Sequence, residues 1–294
     1  MPGPDLATII GGALTARINS LGAELWSLTD GEGREYMTNA DPAFWTGHAP
    51  LLFPIVGALN GGTYRLDGRT YALAKHGFAR TSRFEVVESG AASVRFRLRD
   101  SEQTRAHYPF AFELAVEFAL ARSTLTVAVT VGNAGGEPMP FSFGFHPAFA
   151  WPLPDGGTKG AHRVIFAEEE PEPIRRIDPV TALLLPEPEP SPVVGHVLRP
   201  EARLFEKDAL IWDRLNSRAV TFAGNGPALD IAFPDCPNLG IWQKPGAPFL
   251  AIEPWHGFND PQGFEGDFRD KPGIVVLGPG AQRSFRMDVT VRPR

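Results

Sequence analysis

Two stretches of the sequence set a titratable side chain among aromatics and prolines. One runs Phe141-Ser142-Phe143-Gly144-Phe145-His146-Pro147-Ala148-Phe149 and carries the imidazole of His146 in a strongly apolar context. The other runs Phe249-Leu250-Ala251-Ile252-Glu253-Pro254-Trp255-His256-Gly257, where the carboxylate of Glu253 follows an apolar, strand-like run. Burying a lone charge is expensive, so Glu253 is either paired or holds a raised pKa and a chemical task. Imidazole and carboxylate are also the groups that burial and neighbours tune toward neutral pH for proton transfer. A third segment, Lys75-His76-Gly77-Phe78-Ala79-Arg80, gathers two cations and an imidazole around a glycine. Taken singly, each has a structural reading: a hydrogen-bonded core histidine, a buried ion pair and a solvated turn.

Other chemistries lack their residues. No two histidines stand in a ligand spacing, and Cys236 has no cysteine partner, so no metal site is expected. No Gly-x-Ser-x-Gly elbow occurs. The net charge of -6 comes from mixed acidic and basic residues. Nucleic acid or an anionic membrane would require a basic face, so neither is an expected partner. The single cysteine fits a reducing, cytoplasmic setting. Residues 1–17 lack the charged, apolar and small-residue sequence of a secretory leader. No apolar run approaches the ~20 residues of a membrane helix.

The elements that must position these groups read as strands. Val94, Phe96 and Leu98 alternate with arginines. Phe112, Leu114, Val116, Phe118 and Leu120 share one face, as do Leu125, Val127, Val129 and Val131. Phe285, Met287, Val289 and Val291 repeat the pattern near the C-terminus. Period-two alternation buries one face of an antiparallel sheet and wets the other. Asn60-Gly61-Gly62, Leu66-Asp67-Gly68 and Asn133-Ala134-Gly135-Gly136 supply turns, and 64–71 reads as a short hairpin. The 31 glycines and 29 prolines disfavour long helices, leaving only short turns near 102–106. The Glu- and Pro-rich stretch 168–192 reads as a surface excursion within one domain spanning 1–294, an interdomain linker being the alternative.

Several ordered motifs together narrow the reading. Leu51-Leu52-Phe53-Pro54-Ile55-Val56-Gly57, the Lys75–Arg80 segment, Gly144-Phe145-His146-Pro147-Ala148-Phe149 and Ile252-Glu253-Pro254-Trp255 occur in that order. With Asp208-Ala209-Leu210-Ile211 and Asp270-Lys271-Pro272-Gly273-Ile274, they resemble the aldose 1-epimerase (galactose mutarotase-like) family. The likeness is greatest to a divergent branch of short bacterial members that includes LacX-type proteins, and it covers nearly the whole chain. The resemblance implies an all-β fold, a large antiparallel β-sandwich with a sugar cleft on the concave face of one sheet. It implies His146 as general acid and Glu253 as general base. His76 and Asp208 would bind the sugar, and Arg80 and Lys75 would fall among its polar contacts.

The implied reaction is interconversion of α and β anomers of a hexose, with no cofactor and a monosaccharide as partner. The protein is expected as a monomer or homodimer. Two departures bear on the substrate. Galactose mutarotases carry an Asn-Arg pair where this chain has Ala58-Leu59-Asn60-Gly61-Gly62. The hexose-6-phosphate branch carries an arginine where this chain has Trp45-Thr46-Gly47-His48-Ala49-Pro50, with His48 only a weak substitute. Alternatives are a sugar-binding or sugar-sensing protein without turnover, and a hexose-6-phosphate 1-epimerase. Glycoside hydrolysis through Asp208 and Glu253 would leave the histidines without a role.

Overall fold

The computed structural model describes residues 5–293. Residues 1–4, part of the segment read above for a leader, and residue 294 lie outside the described residues. Two antiparallel sheets dominate. The larger has nine strands, ordered Val197–Leu198, Arg163–Phe166, Ala219–Ala223, Ala228–Ala232, Gln282–Arg292, Thr124–Asn133, Phe112–Ala121, Ser93–Arg99 and Glu85–Ser89. The other orders Leu210–Trp212, Asn238–Trp242, Phe249–His256, Phe143–Phe145 and Leu51–Leu52, with Ala148–Ala150 also paired to Phe249–His256.

Alternation dictates how the sheets stack. Phe112, Leu114, Val116, Phe118 and Leu120 are all buried, while the residues between them are partly exposed. On the wet side Glu113 and Glu117 pair across the ladder with Arg99 and Arg95. Burying the apolar faces requires a second layer. The smaller sheet supplies it: Phe143 stacks on Phe285 of the nine-stranded sheet with ring centroids 4.8 Å apart. One hydrophobic cluster runs from Ile9 to Val291 through both sheets. The all-β sandwich expected from the sequence is what the chain forms.

The minor elements follow local chemistry. Residues 64–71 form the hairpin of Thr63–Leu66 with Arg69–Ala72. The α-helix Glu102–His107 is short and begins at a capping box, Ser101 accepting from the Thr104 N–H and Thr104 Oγ1 accepting from the Ser101 N–H. The stretch 168–192 folds back on itself through Ile174–Glu189 and Ile177–Leu184 bridges. It then adds to the edge of the smaller sheet, Arg175 exchanging backbone hydrogen bonds with Ile211. Among the described residues no helix is long and apolar enough to cross a membrane.

Candidate functional site

The face of the smaller sheet turned away from the core carries the polar groups. Strand Phe249–His256 is flanked on one side by two short strands rather than one long one. Ala148–Ala150 pairs with Ala251, Leu250 and Phe249, and Phe143–Phe145 pairs with His256 and Trp255. His146 and Pro147 occupy the break between them, opposite Glu253 and Ile252 in the register. The Ile252 N–H still donates to the Pro147 carbonyl, 3.1 Å away. Alternate residues of a strand direct their N–H groups to the same side, so position 254 would aim its N–H toward Phe145, at the edge of the break. A proline, having none to give, fits there. The break brings His146 Nε2 to 3.1 Å from Glu253 Oε2, with the two residues only 8% and 2% exposed.

Trp255 is held by what its neighbours lack. A β-carbon at Gly144 would lie 2.6 Å from the indole, and one at Gly240 would lie 2.5 Å from it. These positions sit on the strands either side of Trp255, so the two missing side chains make the slot in which the ring lies flat.

The Lys75–Arg80 segment docks against Phe53, whose carbonyl accepts from the Phe78 and Ala79 N–H groups. His76 and Gly57 bond reciprocally. The His76 N–H donates to the Gly57 carbonyl at 2.9 Å, and the Gly57 N–H donates to His76 Nδ1 at 3.1 Å. Because Nδ1 accepts, the proton of the neutral ring resides on Nε2. His76 and His146 meet edge to face, centroids 5.8 Å apart. His76 has φ of 69° and Asp208 has φ of 66°. Non-glycine residues rarely hold this left-handed conformation, and such strain gathers at functional sites.

A cavity of about 240 Å³ joins these pieces. Its walls include all six residues singled out from the sequence: His146, Glu253, His76, Asp208, Lys75 and Arg80. A larger cleft, about 820 Å³, opens between the 63–72 hairpin and helix Glu102–His107, but no carboxylate lines it. Among the described residues no group of three or more His, Cys, Asp or Glu side chains is placed to hold a metal ion.

The aldose 1-epimerase family profile matches residues 5–262. The chain belongs to the aldose 1-epimerase family. It is 34% identical over 288 residues to the chromosomal LacX protein of Lactococcus lactis, a match covering 95% of this chain and 96% of LacX. A crystal structure of a galactose mutarotase related enzyme from Lactobacillus acidophilus superposes with a TM-score of 0.90 at 32% identity, covering 98% of this chain and 97% of that one. A galactose mutarotase-like protein from Lactobacillus casei also gives 0.90, at 31% identity, covering 98% of this chain and 100% of the other.

Burial governs protonation in this family member. It pushes the His146 pKa down to about 3, with Lys75 and Arg80 adding to the effect. Glu253 moves well above the ordinary carboxylate range, through burial first and the charge of Asp208 second. Lys75 and the Trp255 indole oppose that rise, although Trp255 Nε1 lacks a regular hydrogen-bond partner. The sequence resemblance implied a carboxylate facing an imidazolium. Desolvation instead favours a neutral carboxylic acid facing a neutral imidazole, with the same net charge and one proton between them. His76 is also driven well below its usual pKa by burial, then by His146, Lys75 and Arg80.

Other wall residues were given no role from the sequence. Trp45 stacks on His146, Ile177 comes from the 168–192 excursion, and Asn259 donates to the Ala182 carbonyl at 2.7 Å. None carries a local motif, because each reaches the cavity only through tertiary contacts. Trp242 and Trp255 also line the wall, whereas Phe145 is turned into the core against Phe143. His48 is not on the wall. It stacks on Trp26 at 4.0 Å, and burial lowers its pKa to about 4, so it offers no cation for a phosphate.

Proposed function

We propose that this protein is a cofactor-free aldose 1-epimerase, acting as one domain on a monosaccharide. The carrying observation is the buried 3.1 Å approach of His146 Nε2 to Glu253 Oε2 on the wall of a small polar cavity. Its volume, about 240 Å³, lies below the ~300–1,000 Å³ of sites for drug-sized ligands and suits one sugar ring rather than an oligosaccharide. An acid–base pair has no role in a protein that only binds, which favours turnover over a sugar sensor.

In the proposed reaction the pair first redistributes its one proton, giving a Glu253 carboxylate and a His146 imidazolium. Glu253 removes the proton of the C1 hydroxyl while His146 delivers its proton to the ring oxygen. The C1–O5 bond breaks, leaving an open-chain aldehyde. Rotation about C1–C2 presents the other carbonyl face, and the ring closes with the proton transfers reversed. His76, with its proton on Nε2, donates to a sugar oxygen, and Asp208 accepts from a sugar hydroxyl. Fixing the ring in this way holds the reacting atoms in the near-attack geometry.

A second reading concerns the substrate. Lys75 and Arg80 line the same wall, are exposed, and have no ion-pair partner among the described residues. Two free cations favour an anionic substituent, which supports a hexose 6-phosphate. NMR exchange spectroscopy on glucose, galactose and their 6-phosphates measures anomer interconversion directly. Acceleration by the wild-type protein, lost in Glu253→Gln, is expected. No acceleration with any sugar, or full activity in Glu253→Gln, would refute the assignment. Acceleration confined to the phosphates would select the second reading.

A further inference from the structure

The excursion 168–192 does more than close one wall of the cavity. Arg176 lies in it and is 5% exposed. Its Nη1 is within hydrogen-bonding distance of three main-chain carbonyls: Leu204 at 3.0 Å, Asp208 at 3.3 Å and Ala209 at 3.2 Å. Its Nε donates to Glu189 Oε2 at 3.0 Å. The other oxygen of Glu189 accepts from Lys207 Nζ at 2.7 Å. One guanidinium and one carboxylate therefore grip the chain before, at and after Asp208. Asp208 itself holds a left-handed backbone, and its carboxylate already accepts from the Ala209 N–H at 2.8 Å. A strained turn persists only where its surroundings over-determine it.

We infer that Arg176, braced by Glu189, is a positioning residue that fixes the Asp208 turn against the sugar cavity. The inference rests on the proposed role of Asp208 in holding substrate. Arginine suits the task because its planar fork presents several donors in fixed directions, and its charge strengthens each hydrogen bond. A lysine would keep the charge but could not reach Glu189 and the three carbonyls together. In sequence the stretch reads as a mere surface excursion. Its backbone pairing of Arg175 with Ile211 and the side chain of Arg176 make it the brace of the site.

The test compares wild type with Arg176→Met, Arg176→Lys, Glu189→Gln and Asp208→Asn. Sugar KM and kcat are read by exchange NMR, and amide hydrogen exchange is followed over 204–211. Arg176→Met is expected to raise KM about tenfold, the scale of one charge-assisted hydrogen bond, with kcat changed far less. Arg176→Lys should recover part of that loss, and Glu189→Gln should show a smaller shift of the same kind. Arg176→Met added to Asp208→Asn should cost little more than Asp208→Asn alone, since both act through one contact. Amides 204–211 should exchange faster in Arg176→Met. If Arg176→Met does not fold, Arg176→Lys and Glu189→Gln carry the same comparison. An active wild type with unchanged KM in the Arg176 and Glu189 variants, or additive losses in the double variant, overturns the inference. A wild type that turns over no sugar refutes the functional proposal separately. Arg176 is then judged by hydrogen exchange, and unchanged protection of 204–211 overturns it.

Discussion

The indole of Trp45 stacks on the imidazole of His146, with centroids 4.9 Å apart and planes 26° from parallel. The contact limits His146 to one ring orientation and faces its cationic form with a π-system. Cation–π contacts contribute about 0.5–2 kcal/mol, rising as water is excluded. Trp45→Leu is therefore expected to lower kcat by roughly three- to thirtyfold, with KM less affected. Exchange NMR at saturating sugar measures it. An unchanged kcat would mean that the stack is packing alone.

The slot around Trp255 predicts a narrow tolerance. Gly240→Ala would set a methyl 2.5 Å from the indole, and the ring would have to leave its place. Overpacking of this kind costs about 1–3 kcal/mol. A lowered urea midpoint, with altered tryptophan emission and reduced turnover, is expected. A variant equal to wild type in all three would show that the slot is not tight.

The pH profile follows from the shared proton. The acid limb of kcat/KM arises when a second proton enters the pair. With His146 near 3 and His76 well below its usual value, that limb should fall far under pH 6.5. The alkaline limb arises when the last proton leaves, and the raised Glu253 pKa places that loss well above ordinary carboxylate titration. No acid limb should be centred at pH 6.5. An acid limb centred there would mean that a histidine titrates freely and that the neutral pair is wrong.

Stability should depend on pH through His48. Its folded pKa, about 4, lies below the usual 6.5, so the folded state resists a proton that the unfolded chain accepts. This contribution is complete above pH 6.5, declines as pH falls from 6.5 toward 4, and is flat below that. His48→Gln should reduce the slope of unfolding free energy against pH within that window. Denaturant titrations at several pH values measure it. An unchanged slope would show that His48 titrates normally.

Much of the architecture was legible in the sequence, and for definite reasons. The run from Phe112 to Leu120 could satisfy a half-buried strand and little else, and the Asp67-Gly68 turn marked its hairpin. His146 and Glu253 stood out because polar groups are rare in such apolar runs. Lys75, His76 and Arg80 showed as two cations and an imidazole around a glycine and took their roles from family likeness, whereas Asp208 came from family likeness alone. Arg176 was hidden in a segment that reads as a surface excursion, because its importance lies in carbonyls of residues 204–209 that only the fold brings near. Trp45 and Asn259 were illegible for the same reason. The resting protonation of His146 and Glu253 was not legible at all, because it depends on how completely the fold desolvates both groups.

The central strand Phe249–His256 comes late in the chain, yet it carries Glu253 and templates the break that holds His146. A nascent polypeptide emerging from the ribosome would already contain both histidines and Asp208, but not the rail on which they are aligned. Contacts this distant in sequence form slowly, because the intervening chain must first be closed into loops. Catalytic turnover would then appear only once Phe249–His256 has paired with its neighbours. The rate at which sugar exchange returns after dilution from denaturant would clock completion of the smaller sheet.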